Sequence, residues 1–138
     1  MTSSSSIPIV DVLAWICLQD KCLLGARTTG NEVFYLPGGK REKGESDWKA
    51  LSREVHEELS VALVEETFSE VVTIEEWAHG YAEPTQVKMK CFQADYVGEL
   101  TPTSEIAEIT WLSYADVERC APASQRVLEC LYKAQLII

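Results

Sequence analysis

The residues best suited to chemistry in this sequence are acidic side chains gathered in one short stretch. Glu54, Glu57 and Glu58 lie within about one helical turn of each other. On a helix, residues three and four positions apart face one another, so these carboxylates would repel. A divalent cation relieves that repulsion, and Mg²⁺ is commonly held by a few carboxylates together with water and substrate phosphates. The stretch therefore predicts a metal-dependent enzyme that acts on phosphates.

The helix that must carry these carboxylates has a start signal and an apolar face. Ser46 is suited to the N-cap, and Asp47 places negative charge in the first turn, where it complements the helix dipole. Counted at about 100° per residue, the three glutamates lie together beside an apolar stripe. The helix is expected to pack through the stripe and present the acids to a cleft. The stripe consists of Trp48, Leu51, Val55 and Leu59.

The rest of the chain alternates between strand signals and turn signals. Turn residues at 37–39 are expected to end the third strand, and a loop is expected over 98–108. A second helix is expected near the C-terminus, with Pro122 in its first turn. Mixed elements of this kind predict an α/β sandwich, in which helices cover both faces of a mixed β-sheet. The predicted strands are 10–18, 22–28, 33–36, 68–78, 86–97 and 109–112.

Size and composition indicate one ordinary globular domain. The chain has 138 residues, 46% of them hydrophobic, and we expect a disordered tail over 1–6 and a single domain over 7–138. Neither a signal peptide nor an apolar run of about 20 residues is evident, which favours the cytoplasm and no membrane contact. The odd number of cysteines disfavours a disulfide framework. A net charge of −10 disfavours a polynucleotide partner. Whether the chain forms a homodimer is left open.

The acidic stretch resembles the Nudix box, G-x5-E-x7-R-E-U-x-E-E-x-G-U, where U is a bulky aliphatic residue. Ser60 stands where the family has Gly, and costs about 1 kcal/mol if that position is left-handed, without removing a ligand. The resemblance implies a Nudix-type α/β/α fold and Mg²⁺-dependent hydrolysis, with Mn²⁺ as a substitute, of a pyrophosphate bond in a small nucleotide. The default substrate is a nucleoside triphosphate, which yields a monophosphate and pyrophosphate. The matching residues are Gly39, Glu45, Arg53, Glu54, Val55, Glu57, Glu58 and Val61.

The box glutamates and their neighbours receive roles on this basis. Glu54 and Glu58 are expected to bind the metal directly. Glu57 is a further ligand or the acceptor of the proton from the attacking water. The resemblance implies that Arg53 orients a carboxylate of the box and that the carbonyl of Gly38 joins the metal shell.

A general base outside the box and a substrate site remain to be placed. Relatives of the family often take the proton on a glutamate from a later loop, and Glu105 and Glu108 lie in the loop expected before the last strand. Trp77 and Tyr81 are the preferred contacts for a nucleobase. Other aromatic residues are expected in the core, and a substrate role for His79 is unsupported. The remaining candidates are Arg27 and Lys40 for phosphates, and Trp15, Phe34, Tyr35 and Trp111 for the base.

Other functions are weighed against hydrolysis. A sensor that keeps the fold but binds nucleotides or metabolites without turnover would typically lose box glutamates, and all of them are present. An isomerase of allylic diphosphates would need a placed cysteine, and Cys91 lies in an expected strand. Removal of RNA caps is disfavoured by the acidic charge.

Overall fold

The computed structural model describes residues 7–138, so the tail expected over 1–6 lies outside the described residues. The described chain forms nine strands and two α-helices, which confirms the α/β class. Short 3₁₀ turns occupy Glu65–Thr67 and Tyr114–Arg119. The strands are β1 (Ile9–Ile16), β2 (Leu18–Gln19), β3 (Cys22–Thr28), β4 (Gly38–Lys40), β5 (Ala62–Leu63), β6 (Ser69–Trp77), β7 (Gln86–Gln93), β8 (Tyr96–Val97) and β9 (Ile106–Leu112); the helices are α1 (Asp47–Leu59) and α2 (Pro122–Lys133).

The main sheet is mixed, as predicted. Its strand order is β4-β1-β7-β6, in which β1 and β7 run parallel and the two outer pairs run antiparallel. The strands β2, β3 and β9 form a second, antiparallel sheet, and β5 pairs with β8. The parallel strand at the centre, β1, is thus bordered by β4 on the side that leads into α1.

Two hydrophobic cores lie on opposite faces of β1. Successive side chains of a strand point to opposite faces. Ala14 and Ile16 join the core that contains the buried residues of α2, whereas Leu13 and Trp15 join the core that contains the buried residues of α1. Because each helix covers a different face, the predicted α/β/α sandwich is confirmed.

The acid-bearing helix begins and ends as its sequence indicates. The Ser46 hydroxyl accepts a hydrogen bond from the Lys49 N–H at 3.2 Å, so the expected N-cap is present. The helix ends at Leu59, and Ser60 adopts the left-handed conformation with φ of 64°. Ser60 therefore carries the strain that a glycine would avoid. The buried face consists of Ala50, Leu51, Val55 and Leu59.

The strand before α1 is displaced from its predicted position. Phe34 and Tyr35 make only isolated bridges, and the strand proper is β4, at the glycines that were expected to form a turn. A Cβ on Gly38 would overlap the carbonyl oxygen of Leu13 on β1, and φ of Gly38 is +146°. Only glycine permits this close approach, so low strand propensity is a misleading signal here.

Two other boundaries also differ from the prediction. The segment expected to be one strand over 86–97 divides into β7 and β8. The last strand begins at Ile106 rather than at 109, which moves Glu108 from the expected loop into β9. Neither α1 nor α2, the α-helices within residues 7–138, is long and apolar enough to cross a bilayer.

Candidate active site

Two acids of α1 face the glycine-rich strand β4. An oxygen of the Glu58 carboxylate accepts a hydrogen bond from the Gly38 N–H at 3.1 Å. The Glu54 carboxylate lies so close to Gly39 that a Cβ there would collide with it. Glu54 and Glu58 are four positions apart, so their side chains leave the same face of the helix. Helix and strand together therefore hold this pair of carboxylates, hereafter the acidic pair.

Burial makes the acidic pair costly to ionise. Burial raises the pKa of Glu58 to about 8, against the opposing effect of the hydrogen bond from Gly38, and neighbouring carboxylates raise the pKa further. Burial also raises the pKa of Glu54. A cation placed beside these oxygens would favour the charged forms. The carboxylates that act on Glu58 belong to Glu54, Glu105 and Glu57.

A guanidinium group braces the loop before α1. Arg53 binds both oxygens of Glu45, with N···O distances of 2.7 and 2.8 Å, and this pairing lowers the pKa of Glu45 to about 2. The same guanidinium lies 3.2 Å from Glu57 and 3.5 Å from Glu54. Arg53 thus connects the brace to the acids, and the Glu57 carboxylate is turned toward Arg53 rather than toward Gly38.

A second ionic network anchors this loop, and the sequence reasoning missed it. Arg41 contacts Asp47 at 2.5 Å and Asp11 at 3.3 Å, and it donates to the Glu45 carbonyl at 3.2 Å. Lys90 of β7 completes the network through Asp47 at 3.0 Å. The network joins the loop to β1, β7 and the start of α1. No local spacing distinguishes these charges from a solvated surface, since their partners come from distant strands.

The two candidate bases occupy different surroundings. Glu105 is close enough to raise the pKa of both members of the acidic pair. Glu108 lies on β9 and forms an ion pair with Arg27 at 3.2 Å, and Arg27 also donates to the Asn31 carbonyl at 3.0 Å. The expectation that Glu108 lies in a loop is wrong because β9 begins earlier than its apolar pattern suggests. Arg27 and Glu108 therefore have each other as partners.

A cavity of about 280 Å³ extends from the acidic pair into the space between the main sheet and α2. We call the part lined by Glu58, Gly38 and Gly39 the acidic end, and the part lined by Trp77, His79 and Tyr81, from β6 and the loop after it, the aromatic end. The volume is at the lower limit of typical small-molecule pockets. Most of the remaining wall is apolar, with contributions from Val10, Val12, Ala26, Leu36, Val87, Met89, Ile106 and Ala121–Ala123.

The aromatic candidates divide between the core and this cavity. Trp15 and Phe34 are buried in the two cores, and Trp111 is partly buried against the core of α1, and none of the three lines this cavity. Trp77 and Tyr81 line the cavity with exposed fractions of 47% and 44%. Tyr35 lines it as well, although it was expected in the core.

The comparisons with known proteins agree with this geometry. Residues 8–131 match the family model described as the NUDIX domain. The chain belongs to the Nudix family. It is a Nudix pyrophosphohydrolase, an enzyme that hydrolyses pyrophosphate bonds.

Solved structures of similar fold are numerous. The E. coli ORF135 protein is 22% identical with a TM-score of 0.74, and the match covers 97% of this chain and 96% of that one. A NUDIX hydrolase from Nitrosomonas europaea is 19% identical with a TM-score of 0.73 over 92% and 90% of the two chains. The MutT protein from Methanosarcina mazei Go1 is 20% identical with a TM-score of 0.72 over 94% and 96%. At these identities the likeness concerns the fold.

The donor atoms of the Nudix box suit a hard divalent cation. The acidic pair and Glu57 supply only oxygen ligands, which Mg²⁺ prefers, and His56, the histidine between them in the sequence, is exposed. Within residues 7–138, no three His, Cys, Asp or Glu side chains are arranged so as to hold a metal ion as they stand. The orientation of Glu57 toward Arg53 accounts for this, since it leaves two carboxylates rather than three facing Gly38 and Gly39.

Proposed function

We propose that residues 7–138 act as one domain that hydrolyses a nucleoside triphosphate to a monophosphate and pyrophosphate with Mg²⁺, for which Mn²⁺ substitutes. The observation that carries this proposal is the continuity of the cavity. It reaches from the buried carboxylate of Glu58 to the aromatic end with Trp77 and Tyr81. One end suits a metal and the phosphates, and the other suits a flat organic group. The five free cysteines fit the reducing cytoplasm, which we propose as its location.

The metal would be held by the acidic pair and by the carbonyl oxygen of Gly38, with Glu57 as a further ligand. When bound, it neutralises charge on the phosphate oxygens and lowers the pKa of a bound water. Arg53 acts as a positioning residue, because its contacts to Glu45 and Glu57 fix the flank of α1 from which the acids project. Helix and strand hold the acidic pair and Gly38 in place before the substrate arrives, whereas Glu57 would have to turn away from Arg53 to join them.

Glu105 is our choice for the acceptor of the proton from the attacking water. It lies near both members of the acidic pair, whereas Glu108 is paired with Arg27. Glu57 is the second choice, since its contact to Arg53 leaves it largely exposed. The Glu105→Gln variant should lower kcat by roughly 100-fold or more, and the matched Glu108→Gln variant should leave kcat nearly unchanged. An unchanged kcat in Glu105→Gln transfers the role to Glu57.

The organic part of the substrate would lie against the aromatic end. Aromatic rings commonly stack on nucleobases, and Trp77 and Tyr81 are the exposed rings of the cavity. Lys40 follows Gly39 on β4, and its ammonium group lies 5.7 Å from the centre of the Tyr81 ring, so we assign it to the phosphates. The net charge of −10 opposes a long polyanion, which supports a small nucleotide as the substrate.

The test is release of pyrophosphate from ATP, GTP, CTP and UTP in Mg²⁺ or Mn²⁺. Wild type should release pyrophosphate, and Glu58→Gln should be slower by roughly 100-fold or more because a metal ligand is lost. The control is Glu66→Gln, a change in an exposed 3₁₀ turn outside the cavity, which should match wild type. Tight nucleotide binding without turnover of any of the four would instead identify a sensor.

A further inference from the structure

One hydrogen bond connects two separate segments at the aromatic end of the cavity. The hydroxyl oxygen of Tyr35 lies 2.8 Å from Nδ1 of His79. Tyr35 precedes β4, and His79 belongs to the loop 78–85 that joins β6 to β7. His79 is exposed, Tyr35 is half-buried, and both line the cavity. The pair is therefore reachable by a ligand that fills the cavity.

Two other polar side chains of the wall, those of Ser124 and Asn31, already have partners. The Ser124 hydroxyl is buried and accepts a hydrogen bond from the Leu36 N–H at 3.3 Å. The side-chain oxygen Oδ1 of Asn31 accepts from the Glu32 N–H at 3.2 Å, and its side-chain Nδ2 donates to the Tyr35 hydroxyl at 3.5 Å. Glu58 belongs to the acidic pair. In a wall that is mostly apolar, the Tyr35–His79 pair retains hydrogen-bonding capacity for a ligand.

That capacity follows from the chemistry of the two groups. A tyrosine hydroxyl donates once and accepts twice, whereas a neutral imidazole donates once and accepts once. If Tyr35 donates to Nδ1 of His79, an N–H donor remains at Nε2 and an acceptor remains on the hydroxyl. If Nδ1–H of His79 donates to Tyr35, an acceptor remains at Nε2 and the hydroxyl keeps its donor. Either tautomer of His79 leaves at least one donor and one acceptor for a ligand. In one tautomer the donor is at Nε2 and the acceptor is the Tyr35 hydroxyl, and in the other the two positions are reversed.

We propose that Tyr35 and His79 together are specificity-determining residues that bind the hydrogen-bonding edge of a nucleobase without selecting among the four common bases. Every common nucleobase presents a donor next to an acceptor, and proteins read isolated bases through such edges combined with aromatic stacking. The exchangeable pair satisfies either order of donor and acceptor. Inorganic triphosphate, which has no base, gains nothing from it. This inference rests on the proposed nucleotide hydrolysis and assigns the class of substrate that the site prefers.

The experiment compares KM and kcat for ATP, GTP, CTP, UTP and inorganic triphosphate. Tyr35→Phe and His79→Phe each keep a ring and remove hydrogen-bonding atoms. Each should raise KM for all four nucleotides by roughly 10-fold, as expected for the loss of a buried hydrogen bond, with kcat within about twofold of wild type. KM for inorganic triphosphate should not change. Because the two groups act as a unit, the double variant should be little worse than either single variant.

The control is Tyr132→Phe on α2, which changes a tyrosine outside the cavity and should match wild type. Equal losses for nucleotides and inorganic triphosphate would show a general structural role for the pair and overturn the inference. Unchanged nucleotide KM values, or a wild-type preference for one base above roughly 100-fold, would also overturn it. If wild type hydrolyses no nucleotide, the proposed function fails separately. In that case, calorimetry without metal measures Kd for ATP and for inorganic triphosphate in wild type and in both single variants. Each variant should raise Kd for ATP by roughly 10-fold and leave Kd for inorganic triphosphate unchanged.

Discussion

The two ends of the cavity are held by different kinds of contact. At the acidic end, Arg53 binds Glu45 through two short ion-pair contacts and also reaches Glu57, and β4 fixes Glu58 through its backbone. At the aromatic end, His79 of the largely exposed loop 78–85 is hydrogen-bonded to Tyr35, and Tyr81 of the same loop contacts Lys40. Reaction geometry needs the first arrangement, whereas recognition of varied ligands uses loops on a rigid scaffold.

A second contrast lies within the acidic end. Glu45 and Glu58 belong to the same motif, yet the pKa of Glu45 is lowered to about 2 by Arg53, and the pKa of Glu58 is raised to about 8 by burial. Glu45 has its counter-charge within the protein. Glu58 has a neutral backbone donor and other carboxylates around it, so its counter-charge must come from outside. The difference supports the bracing role of Glu45 and the metal-binding role proposed for Glu58.

The largest effect is expected where backbone and carboxylate touch. Gly39→Ala places a methyl group against the Glu54 carboxylate and should displace it from the acidic pair. We expect kcat to fall by roughly 100-fold or more, with little change in nucleotide affinity measured without metal. The control is Gly30→Asn, at a left-handed position in open space, which Asn tolerates. Full activity in Gly39→Ala would show that the acidic end tolerates rearrangement as the aromatic end does.

A smaller effect concerns stability and pH in the absence of metal. The pKa of Glu58 is raised above its ordinary value of 4.5 to about 8, so the folded state holds this proton more tightly than the unfolded state. The resulting stabilisation is complete below the unfolded pKa and is lost as pH rises through about 8. Between pH 6 and pH 9, we expect wild type to lose roughly 2 kcal/mol of unfolding free energy that Glu58→Gln does not lose. Urea unfolding in a chelating buffer measures the free energy of unfolding of wild type and of Glu58→Gln across this pH range. Parallel pH profiles for the two proteins would contradict the raised pKa of Glu58.

The smallest effect tests the end of α1. Ser60 is left-handed, so Ser60→Gly should raise the free energy of unfolding by about 0.5–1 kcal/mol, because relief of Cβ strain exceeds the entropy that glycine adds to the unfolded chain. Ser52→Gly, inside the same helix, should instead lower it by a similar amount. Urea unfolding of both variants measures the difference, and kcat should be unchanged in Ser60→Gly. A loss of stability there would mean that the serine side chain makes a compensating contact.

The placement of Glu54 and Glu58 on one helix could be predicted from the sequence because its geometry is local. The spacing of Glu54 and Glu58 places them on one helical face, and the cap at Ser46 and the left-handed Ser60 follow from the ends of that helix. β4 was missed because its glycines resemble a turn. The reason for those glycines, close approach to Leu13 and Glu54, exists only once strand and helix are packed.

The rest of the cavity depends on pairings between distant positions. Tyr35 pairs with Ala26 of β3 whereas His79 lies in the loop between β6 and β7, so only the folded chain brings them together, and Lys90 reaches Asp47 only because β7 lies beside β1. The sequence predicts a loop at Glu108 because polar residues precede the apolar part of β9. In each case, no short-range sequence pattern indicates which residue the side chain will contact.

The central claim is that the acidic pair takes up a divalent cation, and calorimetry with Mg²⁺ and Mn²⁺ tests it most directly. The titration compares wild type with Glu54→Gln and Glu58→Gln, each with and without a non-hydrolysable nucleotide analogue. The account predicts uptake by wild type that is weakened roughly 10-fold or more in each variant. Absence of uptake by wild type in both conditions, or equal affinity in all three proteins, would contradict it.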